Sequence, residues 1–162
     1  WNCCGASISY ADSGELQRGS NLGKRQVKSP KIYVRDSGLL HALLGLKNLN
    51  DVLGHPVAGA SWEGFVIEAL IAAAPQGTRA YHYRTQAGAE ADLVLEFSPD
   101  RRWAVEIKKS SAPTAGRSFT VSSDDLKAER RILVHKGAES FPMRGGVEAM
   151  TLLDAVEAVC GG

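Results

Sequence analysis

The sequence predicts one α/β layered domain in which helices cover the faces of a sheet. Three observations carry that prediction. A helix-like run, WEGFVIEALIAAA, begins after Ser61, a suitable N-cap, and stops at Pro75 and Gly77. Three strand-like segments follow, TRAYHYRT, ADLVLEF and RWAVEIK, joined by links so short that antiparallel meander pairing is expected. The remaining text alternates again: RSFTVSSDDLKAE as a helix, RILVHKG as a fourth strand, VEAMTL as a fifth and LLDAVEAV as a closing helix.

The chain of 162 residues, 44% hydrophobic and 23% charged, has apolar material for one ordinary core. A net charge of +1 provides no global field for DNA or acidic lipid, so any nucleic-acid contact must come from local patches. No apolar run approaches the roughly 18 residues of a membrane span, and no signal-peptide order is present, so a cytoplasmic location without a membrane partner is expected. Cys3, Cys4 and Cys160 fit neither a disulfide framework nor a zinc site and are read as unligated thiols. His41, His55, His82 and His135 show no ligand spacing and are read as solvated or packed.

Three segments are expected along the chain. Residues 1–20 lack helical or strand periodicity and predict a loosely held tail. Residues 21–58 form a basic extension, in which Lys24, Arg25, Lys28, Lys31 and Arg35 surround a short strand at Ile32 to Val34. Asp36 or Ser37 then caps a helix with Leu39, Leu40, Leu43 and Leu44 on its apolar face, and LNDVLGHPVAGAS is a connection. Residues 59–162 hold the domain proper.

The stretch GAEADLVLEFSPDRRWAVEIKKS carries acids that a plain hairpin does not need. On a strand Glu106 and Lys108 share one face while Val105 and Ile107 take the other. Antiparallel pairing across the SPDR turn sets Asp92 beside Glu106. Two carboxylates so close repel unless a cation or proton lies between them, and oxygen-only ligands suit Mg²⁺ or Mn²⁺. With Lys108 at a scissile phosphate, these are the parts for phosphodiester hydrolysis. A solvated Glu and Lys two apart on a strand is the plainer alternative.

The order helix, three strands, helix, strand, with Asp92 followed by Glu106-Ile107-Lys108, resembles the PD-(D/E)xK nuclease superfamily and its restriction-endonuclease-like core. Glu63 in GASWEGFVIEAL resembles the helix-borne acid of Holliday-junction resolvases in that superfamily, and Glu68 is its rival. Five helical residues turn through about 140°, so both cannot enter one site. The motif's proline is replaced by Ala91. Residues 21–160, with NLGKRQVKSPKIYVRDSGLLHALLGL, GHPVAGASWEGFVIEAL, YHYRTQAGAEADLVLE and WAVEIKKS, resemble the C-terminal domain of prokaryotic predicted AAA-type ATPases. That resemblance implies a nuclease-like domain joined to an ATPase module and a winged-helix segment. This chain holds no GxxxxGK[ST] stretch, so no ATP site is expected in it.

The first 20 residues depart from that family. Trp-Asn-Cys-Cys is encoded TGG-AAY-TGY-TGY, which reads Glu-Leu-Leu two nucleotides later, so a frameshifted or truncated start is expected there. Arg84, Lys109 and Ser110 flank the motif and are candidates for nucleic-acid backbone contact, with surface ion pairing equally compatible. The basic residues 24–35 resemble the remnant of a DNA-contacting wing, or are solvated charge. Trp62 and Phe65 are expected in the core. The expected activity is Mg²⁺-dependent or Mn²⁺-dependent DNA hydrolysis by Asp92, Glu106, Glu63 and Lys108. The alternative is a catalytically silent regulatory or interaction module of an ATPase; a sequence-specific DNA-binding protein is a weaker third reading.

Overall fold

A computed structural model describes residues 7–9 and 31–161. In chain order the elements are β1 (Ser7–Ser9), β2 (Ile32–Val34), α1 (Ser37–Leu43), α2 (Leu49–Gly54), α3 (Ala58–Ala73), β3 (Arg79–Arg84), β4 (Glu90–Ser98), β5 (Arg101–Lys108), α4 (Arg117–Asp125), β6 (Arg130–His135), β7 (Phe141–Pro142), β8 (Val147–Thr151) and α5 (Leu152–Cys160). Strands β3 to β8 form a mixed sheet in the order β3-β4-β5-β6-β8-β7, and β1 pairs with β2 in a separate ribbon. The meander β3-β4-β5 is antiparallel as expected. Strands β5, β6 and β8 then run parallel, because α4 lies on the crossover from β5 to β6 and residues 136–146, with β7, return the chain to the same end between β6 and β8.

Each face of the sheet carries its own core. On one side Val66, Ile67 and Leu70 of α3 and Ala155 and Val159 of α5 meet Leu93, Leu95, Trp103, Val105, Ile107, Ile132 and Val134. On the other, Phe119 and Leu126, from α4 and its end, meet Tyr81, Tyr83, Ala91, Val94, Ala104, Leu133 and Val147. The alternation of strand side chains accounts for this division. One irregularity breaks it: Tyr81 pairs with Val94 but Tyr83 pairs with Ala91, so β4 spends an extra residue at Asp92-Leu93. Ala91 and Val94 consequently face the same side, and Asp92 is freed from strict alternation.

Several expectations are corrected. Within the tail read as lacking periodicity, Ser7–Ser9 pairs with Ile32–Val34; the rest of residues 1–20, with Lys24, Arg25 and Lys28, lies outside the described residues. The connection after α1 contains helix α2, capped by the Asn48 side chain on the Asp51 N–H at 3.0 Å. Helix α3 starts three residues before Ser61. His55 caps the approach, its ring nitrogen accepting from Val57 N–H at 3.1 Å and its carbonyl from Ala58 N–H at 3.0 Å. Ser61 instead bonds His41 at 2.8 Å, tying α1 to α3. The leucines of α1 are not buried, and Phe65 is 48% exposed, whereas Trp62 packs against the core edge. Strand β7 was not foreseen; its two residues, one of them proline, carry no periodicity. Among the described residues no helix is long and apolar enough to cross a membrane.

Candidate carboxylate site between α3, β2 and the meander

The site forms where β2 crosses α3 beside the start of β4. Asp92 accepts the Ile107 backbone N–H through Oδ2 at 2.9 Å, a bond across the β4/β5 ladder that the bulge makes available. Its Oδ1 lies 2.9 Å from Lys31 Nζ. The same ammonium reaches Glu63 Oε1 at 3.0 Å and Glu90 Oε1 at 2.9 Å. One nitrogen thus gathers three carboxylates from a helix and a strand, and no two of those oxygens are further apart than two such contacts laid end to end. Tyr33 also donates its hydroxyl to Glu63. His82 lies 3.2 Å from Glu90 Oε1, and Arg84 lies 3.8 Å from its other oxygen.

Glu106 stands on the adjacent strand. The register Leu93↔Val105, carried on by one residue, sets it opposite Asp92, as the strand pairing predicts. Its Oε1 holds Lys108 Nζ at 2.8 Å, and a methyl group at Gly116 would come within 3.6 Å of that oxygen. Glu106 is only 8% exposed, yet its Oε2 has no hydrogen-bond partner among the described residues. Glu96 has the same burial and differs in chemistry: Arg79 at 3.3 Å, Arg102 at 2.7 Å and Tyr81 at 3.2 Å satisfy both of its oxygens. A satisfied buried carboxylate is a structural ion pair, whereas one left half-satisfied costs stability and needs another reason to exist.

The charges act on one another. Burial alone would lower the Lys31 pKa, but the Asp92 charge, bonds to Glu90 and Asp92, and the Glu63 charge hold it well above its ordinary value. Burial also works against charged Lys108, and its bond to Glu106, with the charges of Glu106, Asp92 and Glu63, raises it nonetheless. Lys108 therefore shares the electrostatic field of the Lys31 cluster. Burial and the Glu63 hydrogen bond push the Tyr33 hydroxyl up.

Of the residues singled out in the sequence, Glu63, Asp92, Glu106 and Lys108 come together at one end of the meander. Glu68 does not join them; it pairs with Arg35 at 2.8 Å. Arg84, Lys109 and Ser110 border the group: Arg84 next to Glu90, the other two directly after β5, where Ser110 Oγ accepts the Ala112 N–H at 3.1 Å. Sequence reasoning missed Lys31, Tyr33, Glu90 and His82. Glu90 and His82 had a local signal, an acid and a histidine at the facing ends of adjacent strands; Lys31, 61 residues from Asp92, had none.

Hard oxygen donors on Asp92, Glu106, Glu63 and Glu90, one of them an unpartnered buried oxygen, fit a hard divalent cation. Among the described residues no three His, Cys, Asp or Glu side chains form a group arranged to hold a metal ion, and an ammonium lies between three of the carboxylates.

The fold and site define a mixed α/β domain with a lysine-bridged carboxylate cluster. The chain belongs to the family described as Domain of unknown function (DUF4143), whose model matches residues 58–154. A second model, Domain of unknown function (DUF8612), matches residues 15–50. The chain is 46% identical over 132 residues to Uncharacterized protein Mb2031c of Mycobacterium bovis and, to the same extent, to Uncharacterized protein Rv2008c of Mycobacterium tuberculosis. Each alignment covers 81% of this chain and 29% of the relative, so the chain spans less than a third of those proteins. No solved structure matches significantly.

Proposed function

We propose that the domain is a restriction-endonuclease-like nuclease module that hydrolyses DNA phosphodiesters with Mg²⁺ or Mn²⁺, working in a polypeptide that also carries an AAA-type ATPase module. The observation that supports this best is the meeting of Glu63, Asp92, Glu106 and Lys108 at one sheet end, with a buried Glu106 oxygen left without a partner. Asp92 and Glu106, with Glu63, would hold the ion, and Glu90 extends the set. When bound, the ion polarises a phosphodiester oxygen and lowers the pKa of a bound water. Lys108 keeps its proton in the field of Glu106, Asp92 and Glu63, and its ammonium balances negative charge developing on the phosphate. Arg84, Lys109 and Ser110 would grip the neighbouring backbone phosphates.

A second reading, a catalytically silent regulatory module of the ATPase, is favoured by the position of Lys31, whose ammonium already pairs with three of the acids. A cleavage assay on mixed plasmid and branched DNA separates them. Metal-dependent nicking should fall by about a hundred-fold or more in Glu106→Gln and Lys108→Ala. Absence of nicking by folded wild-type protein, with binding to a separately expressed ATPase module, would establish the silent reading.

A further inference from the structure

Strand β2 turns alternate side chains onto α3. Lys31 and Tyr33 meet Glu63, and Arg35 meets Glu68 one turn and more further on. Helix α3 is bare where Tyr33 crosses it, since a Cβ at Gly64 would lie 3.3 Å from the tyrosine ring. The ribbon is therefore seated on α3 at a defined register, with Lys31 brought over the carboxylates by the strand's two-residue period. All three ammonium donors find acceptors, which is the full capacity of a lysine. Glu106 beside them keeps an unpartnered buried oxygen, so this one short cation leaves the fourth acid incompletely satisfied.

We infer that Lys31 is a tethered counter-ion that competes with a divalent cation for Glu63, Glu90 and Asp92, so that β2 closes the site until the ion displaces it. The inference rests on the metal-binding part of the function proposed above. A divalent ion takes carboxylate oxygens at about 2.1 Å, while an ammonium holds the same oxygens near hydrogen-bonding distance, so the two cannot use them together. Two cations at such spacing would also repel strongly in a half-buried site. Displaced, the Lys31 head enters water, while Tyr33 on Glu63 and Arg35 on Glu68 continue to hold β2 to α3. Metal binding and withdrawal of Lys31 are then one event, and a closed state that dominates lowers the apparent metal affinity by the fraction of open molecules.

The test titrates Mn²⁺ into the full chain, reading free ion by electron paramagnetic resonance, for wild type, Lys31→Gln and Lys31→Met. Both variants should bind Mn²⁺ about ten-fold more tightly than wild type or better. In wild type, saturating Mn²⁺ should also speed acylation of Lys31 by an amine-reactive ester, with exposed Lys136 as the internal standard. This second readout needs no variant and decides the matter if both substitutions unfold the chain. Equal affinities together with unchanged Lys31 reactivity would overturn the competition while leaving the metal site standing. No Mn²⁺ bound by any folded form would overturn both.

Discussion

Asp92 uses its two oxygens on different partners, a backbone N–H of the next strand and the Lys31 ammonium. Replacing it with alanine leaves a ladder N–H unpaired and Lys31 one acceptor short. We expect Asp92→Ala to destabilise the fold by about 2–4 kcal/mol in urea unfolding, and Asp92→Asn, which keeps an acceptor for Ile107, by roughly half as much. The sequence made Asp92, Glu106 and Lys108 legible because strand alternation and hairpin register are local rules. It left Lys31 illegible as a site residue because its three partners lie from 32 to 61 residues away, and a lysine in a basic stretch reads first as a phosphate contact. Chain topology, which no spacing rule encodes, turns that basic residue inward onto acids.

At the scale of elements, the order of helices and strands from α3 onward follows the periodicity of the text, and the exceptions have physical causes. The extra residue in β4 is invisible to alternation, since ADLVLEF reads equally well unbulged. Helix α2 is short, and its cap, Asn48, precedes only six helical residues, too few for periodicity to register. The end of α4 offers a prediction. Ala128 N–H bonds the Ser123 carbonyl at 2.9 Å and Lys127 N–H bonds that of Asp124 at 3.1 Å, a Schellman closure whose left-handed position holds Lys127 at φ 50°. Glycine suits that position without the Cβ clash. Lys127→Gly should therefore stabilise the domain by about 0.5–1 kcal/mol, seen as a rise of roughly 1–4 °C in thermal midpoint.

The whole molecule should lose stability on acidification through two groups at the carboxylate cluster. Burial, reinforced by the Lys31 charge, lowers His82 from its ordinary 6.5 in spite of Glu90. Burial would raise Glu90 from its ordinary 4.5, but the bond to Lys31 and its charge hold it lower. A depressed folded pKa means the unfolded chain takes the proton more readily, so the stabilisation is complete above the unfolded value and is lost as pH falls through the folded one. In EDTA the thermal midpoint should begin to fall below about pH 6.5 and fall again below about pH 4.5, and His82→Gln should remove the first decline. The mixed sheet as a whole was only partly legible: the antiparallel meander followed from short links, whereas the neighbours of β8 depended on tertiary packing. That sheet also ends in an instructive way. Its last strand, β7, contributes two residues, and Pro142 has no amide hydrogen to offer a newcomer. Extension of the sheet by a second molecule on that flank meets a terminator, and on the β3 flank a newcomer meets a strand begun and ended by arginines that are already paired to Glu96 and Glu90 of the same sheet.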